Sequence, residues 1–291
     1  MTATTLPASW VNGVAVPPDT AAIAVRDRGL TLADGVFETM RAHDGRIFRE
    51  ERHLLRLVHG LSVLDFPPLP DLHRWLHEAV LALGTADGSI RLTVTRGIAA
   101  GGWAPPVDAR PTVIVTIAPL PQFPAEIYER GLAVRVASGR RNEHAITAGL
   151  KTIAYTDSVL ALIEAHKAGA DDALFLDTEG HLSEATASNL FICRDRDLLT
   201  PPGSCGALPG ITRQAVMELA RLDDLNVVER AIGPNDLLDA DEAFLTSSLR
   251  GIAPLVRVHD SAIGTGSPGA LTTRLRAAYT ALVARECGAH P

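Results

Sequence analysis

The sequence predicts a mixed α/β protein of two domains, and three observations carry that expectation. Strand-like runs and helical periodicity interleave along the chain, but strict β-α-β units are too few for a simple doubly wound sheet. The length of 291 residues suits roughly two domains at about 150 residues each. A stretch with three prolines in seven residues, APLPQFP at 118–124, reads as the linker between them.

Taken in order, 21–26 (AAIAVR) and 36–41 (VFETMR) read as short strands around the turn-rich DRGLTLADG. Apolar residues at helical spacing predict helices over 50–64 and 71–84, the second with Asp71 as N-cap and Gly84 as stop. Runs of β-branched or alternating residues predict strands at 89–96 and 111–117. The Gly/Pro-rich segment between them is too long for a tight hairpin, and such loops are often functional. Beyond the linker come a strand (GLAVRVAS), a loop (GRRNEHAITAG) and a helix over TDSVLALIEAHKAGA. Strands DALFLD and SNLFIC follow, joined through the hairpin region TEGHLSEATA, and then a short strand, DLLTPP. Pro209-Gly210 opens a helix (ITRQAVMELARL), strands NVVERA, EAFLTS and APLVRV succeed it, and 269–287 closes the chain as an amphipathic helix.

Composition excludes several classes. With 46% hydrophobic and 21% charged residues the chain can bury a sizeable core, and it is neither disordered nor collagen-like. Its net charge of −7 offers no electrostatic footprint for nucleic acid. No apolar run is long enough for a membrane helix, and the opening MTATTLPASW lacks the pattern of a secretory signal. Three cysteines, Cys193, Cys205 and Cys287, form no CxxC, so neither a disulfide framework nor a cysteine zinc site is expected; a reducing cytoplasm fits. His73 and His77 stand four apart on one helix without an evident third ligand, so no metal is expected. GxGxxG and GxxxxGK[ST] are both absent, which removes dinucleotide and P-loop readings.

One count points at chemistry. Only two of the 27 basic residues are lysine, Lys151 and Lys167. An amine can lose its proton and form an imine, whereas a guanidinium cannot. Lys167 lies in the last turn of a helix, where a cation complements the dipole. Lys151, in AGLKTIAYTD, stands at a strand-to-helix passage among apolar neighbours. It is either a surface lysine at a helix start or an amine readied by partial burial for attack on a carbonyl. Pro209-Gly210-Ile211-Thr212 opens a helix, so its free N–H groups and the Thr212 hydroxyl could grip a phosphate; an ordinary turn is the other reading. Thr246-Ser247-Ser248 clusters hydroxyls at a strand end, Arg56 sits on an otherwise apolar helix face, and Glu184 lies near a strand start.

Read together, DRGLTLADGVFETMR, RHLLRL, GLKTIAYTDSVLA, DTEGHLSEATASNLF, LPGITR and LTSSLRGIAPL, in this order and spacing, resemble the class IV (fold type IV) pyridoxal-phosphate aminotransferases. The resemblance runs from about residue 20 to 260. It implies a small N-terminal α/β domain at 1–117 and a larger cofactor-binding C-terminal domain at 125–291 with a barrel-like sheet. The site would lie at the domain interface of a homodimer. Lys151 would bind pyridoxal 5′-phosphate covalently and shuttle a proton. Glu184 would pair with the pyridine nitrogen, Tyr155 with the ring hydroxyl, and Arg56, Ile211, Thr212 and Ser247 or Ser248 with the phosphate. Phe37 would line the substrate pocket.

The branch is read from the substrate end. The Pro-Arg-x-His carboxylate clamp of D-amino-acid aminotransferases is replaced by Ile98-Ala99-Ala100-Gly101-Gly102-Trp103. A substrate carboxylate would then need another arginine: Arg28, Arg96, Arg140, Arg141 or Arg250. The motifs VFEG and GGNY of the branched-chain type are absent, which makes that type the least expected. The resulting expectation is transamination between a D-amino acid, with some activity on R-amines, and a 2-oxo acid such as 2-oxoglutarate. The alternative is 4-amino-4-deoxychorismate lyase, to which Arg140-Arg141 and the Gly-Gly loop are similar.

Overall fold

A computed structural model describes residues 6–288; the first five residues of the opening segment read above for a secretory signal lie outside the described range. The chain divides into two compact units: Met1–Pro121 with Leu150–Ala154 and Val283–Pro291, and Gln122–Gly149 with Tyr155–Leu282. The break falls within the proline-rich segment, and a five-residue piece that carries Lys151 belongs with the first unit.

In the first unit, strands β1 (Ala8–Val11) and β2 (Val14–Val16) precede the short helix α1 (Arg28–Leu32). Then come β3 (Gly35–His43), β4 (Arg46–Ile47), helices α2 (Glu50–Val63) and α3 (Leu72–Val80), and strands β5 (Gly88–Thr95) and β6 (Thr112–Pro119). They form one six-stranded sheet in the order β2-β1-β6-β5-β3-β4. Period-two alternation buries Val36 and Met40 of β3 and Ile90, Leu92 and Val94 of β5, together with Leu57 of α2 and Leu76 of α3. The strand expected at 21–26 does not form: those residues are exposed and make no ladder. The helix expected over 71–84 tightens to a 3-10 turn at Leu81–Leu83 before Gly84, whose φ of +59° stops it.

The second unit contains α4 (Ala125–Arg130), β7 (Leu132–Arg140), α5 (Thr156–Lys167), β8 (Asp172–Leu176), β9 (Leu182–Ala185), β10 (Asn189–Arg194) and β11 (Asp197–Thr200). Helix α6 (Ile211–Leu222), β12 (Asn226–Glu229), α7 (Pro234–Leu238), β13 (Glu242–Ser247), β14 (Gly251–Val258), β15 (Ser261–Ala262) and α8 (Ala270–Cys287) complete it, the last turns of α8 passing into the first unit. Strands β9-β10-β13-β14-β7-β8 form a closed ring, because β10 pairs with β9 as well as with β13. This is the barrel-like sheet the sequence resemblance implies. Its interior is filled by Leu132, Leu174, Leu182, Leu190, Leu245 and Leu255. The sequence did not resolve β9 from a hairpin loop: four residues with two small side chains and a glutamate carry little pattern, and only closure of the ring makes them a strand.

Candidate active site

In the first unit, the chain at Lys151 is held against the start of β3 by an isolated antiparallel bridge between Val36 and Thr152. The Phe37 N–H donates to the Lys151 carbonyl (2.9 Å), and the Ile153 N–H donates to the Gly35 carbonyl (3.1 Å). Gly35 permits this approach: a Cβ there would stand 2.5 Å from the Val94 carbonyl and 3.2 Å from Ile153. The Lys151 Nζ lies 4.4 Å from the Phe37 ring centroid, and the Arg91 guanidinium lies 3.7 Å from the same centroid, so two cations use one π system.

One residue on, β3 turns Glu38 into the core, where it is fully buried. Its carboxylate accepts two hydrogen bonds from Arg56 (both 2.7 Å) and one from His53 Nδ1 (2.7 Å). Burial alone would raise the carboxyl pKa, but the His53 and Arg56 hydrogen bonds and the Arg56 charge outweigh it and hold it down at about 2. Burial lowers the His53 pKa. The group is thus a carboxylate that holds Arg56, expected at the phosphate, through the Nε–Nη2 edge of its guanidinium.

In the second unit, residues directly opposite in register share a face of the ring: Glu184 on β9, Asn189 on β10 and Thr246 on β13. Glu184 accepts from the Leu208 N–H (2.9 Å) and pairs with Arg141 (3.3 Å). Asn189 donates to the Leu208 carbonyl (2.8 Å). The peptide groups of Leu208 are therefore clamped two residues before Gly210, the N-cap of α6. Gly210 is required by space: a Cβ would fall 2.0 Å from the Asn189 Oδ1. Ile211 and Thr212 open α6, and both are buried. The first N–H groups of a helix have no intrahelical acceptor, so this end presents donors and a positive dipole. Ser247 and Ser248 end β13, the Ser247 Oγ accepting from the Arg250 N–H (3.4 Å), and Tyr155 caps α5 at its N-terminus.

The five candidate arginines separate. Arg96 is spent on structure, donating to Asp34 (2.8 Å) and to the carbonyls of Leu64 and Asp65, with its guanidinium over Phe66. Arg28 shares Asp34 and donates to the carbonyls of Gly102, Trp103 and Ala104, which anchors the Gly-Gly loop. Arg141 is committed to Glu184 and Ser158 and stacks on Phe175. Arg28, Arg96 and Arg141 thus each hold protein acceptors in this structure. Arg140 is exposed at the end of β7; Arg250 lies 3.8 Å from Asp172, with its Nε and Nη1 buried and without hydrogen-bond partners.

The sequence model of amino-transferase class IV matches residues 35–258. The chain belongs to that family. Its structure is similar to the branched-chain amino acid aminotransferase of Escherichia coli, at a TM-score of 0.90 and 30% identity, covering 95% of this chain and 94% of that one. It is also similar to the 4-amino-4-deoxychorismate lyase of Pseudomonas aeruginosa, at 0.83 and 33%, covering 93% and 97%. The D-alanine aminotransferase of Bacillus licheniformis is 28% identical, over 92% of this chain and 94% of its own. Names for branched-chain activity recur among the most similar curated relatives, so the absence of VFEG and GGNY does not set that type aside.

As a class IV aminotransferase or lyase the chain uses pyridoxal 5′-phosphate, and its own donors fit that group. An amine in the first unit, and a charge-paired carboxylate and a helix N-terminus in the second, are donors of the kinds that an aldehyde, a ring nitrogen and a phosphate take. The Arg141 Nε and Thr246 Oγ1 beside the Glu184 row are buried polar atoms without hydrogen-bond partners. Glu38 and His53 were missed by sequence reasoning. A carboxylate on the buried parity of VFETM, facing a helix with His and Arg three apart, was the available signal.

Proposed function

We propose that this class IV aminotransferase moves the amino group of a D-amino acid, and of R-amines, to a 2-oxo acid such as 2-oxoglutarate. When bound, pyridoxal phosphate supplies an aldehyde that takes up the amine and a ring that draws electrons from the adjoining carbon. Lys151 is the attachment amine and then the base that removes the donor's Cα proton. Its main chain is tied to β3, so the amine returns to one place. Glu184 holds the proton on the ring nitrogen, and Arg141 together with the Leu208 N–H keeps that carboxylate charged and oriented. Phosphate is met by Arg56, by the N–H groups of Ile211 and Thr212 with the Thr212 hydroxyl, and by Ser247 and Ser248. Tyr155 takes the ring hydroxyl, and Phe37 walls the substrate side.

The observation that carries the catalytic assignment is the Phe37–Lys151 main-chain bond, which ties the one lysine outside a helix C-terminus to β3. The D-donor is supported by the D-alanine relative. A second donor class, L-branched-chain amino acids, is favoured by the Escherichia coli likeness, and the lyase by the Pseudomonas one. Arg250, whose Nε and Nη1 are both buried without hydrogen-bond partners, is the arginine we assign to the substrate carboxylate. A spectral half-reaction screen of the holoenzyme with D-amino acids, L-amino acids, R-amines and aminodeoxychorismate separates all readings. D-alanine is expected to bleach the lysine-bound absorbance and release pyruvate, and Lys151→Ala to abolish both. Turnover of L-leucine without D-alanine would replace the donor assignment.

A further inference from the structure

Away from these groups, the hairpin between β8 and β9 gathers a different donor set. Asp177, His181 and Cys205 offer a carboxylate oxygen, an imidazole nitrogen and a thiol sulfur, all within 4.8 Å of one another. Asp177 and Cys205 are buried, while His181 keeps an edge to solvent. The geometry is built rather than accidental. The Asp177 N–H donates to the His181 carbonyl (2.8 Å), the His181 N–H donates to Asp177 Oδ1 (2.7 Å), and Gly180 supplies the positive φ of +92° that closes the turn. His181 Nδ1 already faces Asp177 Oδ2 (3.3 Å) and Glu179 Oε2 (3.7 Å). Cys205 ends a 3-10 turn, its N–H held by the Pro202 carbonyl (3.0 Å) and its following residue Gly206 at φ +78°. The Glu143 carboxylate binds the N–H and hydroxyl of Thr178 in the same turn. Burial and the Asp177, Glu143 and Glu179 carboxylates push the Cys205 thiol up to about 11, and no arginine or lysine is paired with those three carboxylates among the described ion pairs.

We propose that Asp177, His181 and Cys205 bind one divalent cation of the zinc class, with Glu179 or water as fourth ligand. Mixed N, O and S donors select a borderline-soft ion over magnesium or calcium. Ligand atoms on a shared tetrahedral ion stand about 3.5 Å apart, so small side-chain rotations bring the set together. Binding forms a metal–sulfur bond, displaces a metal-bound water and sends the thiol proton to solvent. The ion would staple the β8–β9 hairpin, whose second strand carries Glu184, to the Cys205–Leu208 segment that Glu184 itself binds. The cysteine spacing in the sequence hid this site, because its ligands come from two distant segments.

The test adds Co²⁺ to the holoenzyme. One equivalent per chain, a thiolate-to-cobalt charge-transfer band, and a rise in unfolding temperature with Zn²⁺ are expected of the wild type, with no variant needed. Cys205→Ser should remove the band, and His181→Gln should weaken binding at least tenfold. His43→Gln, in the sulfur-free cluster of His43, Asp44 and Asp87, should leave the band intact. No band at millimolar Co²⁺, or a band that survives Cys205→Ser, overturns the assignment. Both readouts are independent of which amino donor the enzyme uses.

Discussion

The Phe37 amide and the Lys151 carbonyl share a 2.9 Å hydrogen bond across a strand pairing that sequence distance does not suggest. The next residue after Phe37 is Glu38, whose carboxylate is buried against Arg56 and His53. The strand that holds the Lys151 main chain therefore also anchors Arg56.

That anchor sets an acid-stability prediction. Glu38 is held at about 2 against an ordinary 4.5, so the unfolded chain binds the extra proton first as pH falls. Stability from this group is complete above about pH 4.5 and is lost toward pH 2, amounting to about 3 kcal/mol at roughly 1.4 kcal/mol per unit. The lowered His53 pKa acts in the same direction below its ordinary value. Glu38→Gln should cost about 3–5 kcal/mol near neutrality by removing the buried negative charge that Arg56 and His53 bond, and the gap to wild type should narrow as pH falls. Urea unfolding across pH checks this; parallel curves for the two proteins would refute it.

Glu184→Gln separates charge from shape. The amide can still accept from the Leu208 N–H, but it cannot balance Arg141. We expect kcat to fall by about a hundredfold or more, with the cofactor still bound and the melting temperature little changed. Unchanged kcat would remove Glu184 from the ring nitrogen.

At Gly210 a methyl group would meet the Asn189 Oδ1 at 2.0 Å. Gly210→Ala should displace either the asparagine or the start of α6. Cofactor affinity should then drop about tenfold, equivalent to about 1.4 kcal/mol, as read by titrating the apoenzyme. An Asn189→Ala, Gly210→Ala double variant should recover part of the loss; full affinity in the single variant would show that α6 does not grip the phosphate.

Arg28 holds three successive carbonyls at 102–104. A lysine lacks the planar fork to reach them together. Arg28→Lys should speed amide exchange over 97–110 and raise KM with kcat nearly unchanged. A collapse of kcat with an ordered loop would return Arg28 to the substrate.

Sequence alone determined most elements and nominated the chemistry-bearing residues. Lys151 stood out because arginine does nearly all other basic work, and α2, α6 and β5 follow their apolar periods because burial of one face is a local, repeating requirement. What the tertiary structure decided depends on pairs far apart in sequence. The ring closes only because β9 meets β10, Arg28 and Arg96 are taken up by Asp34 and by loop carbonyls, and Glu38 becomes ionised within a core by meeting α2. A residue's partners follow from which strands and helices come to lie beside it, and a one-dimensional pattern records its parity on a strand or helix but not the neighbour on the other side.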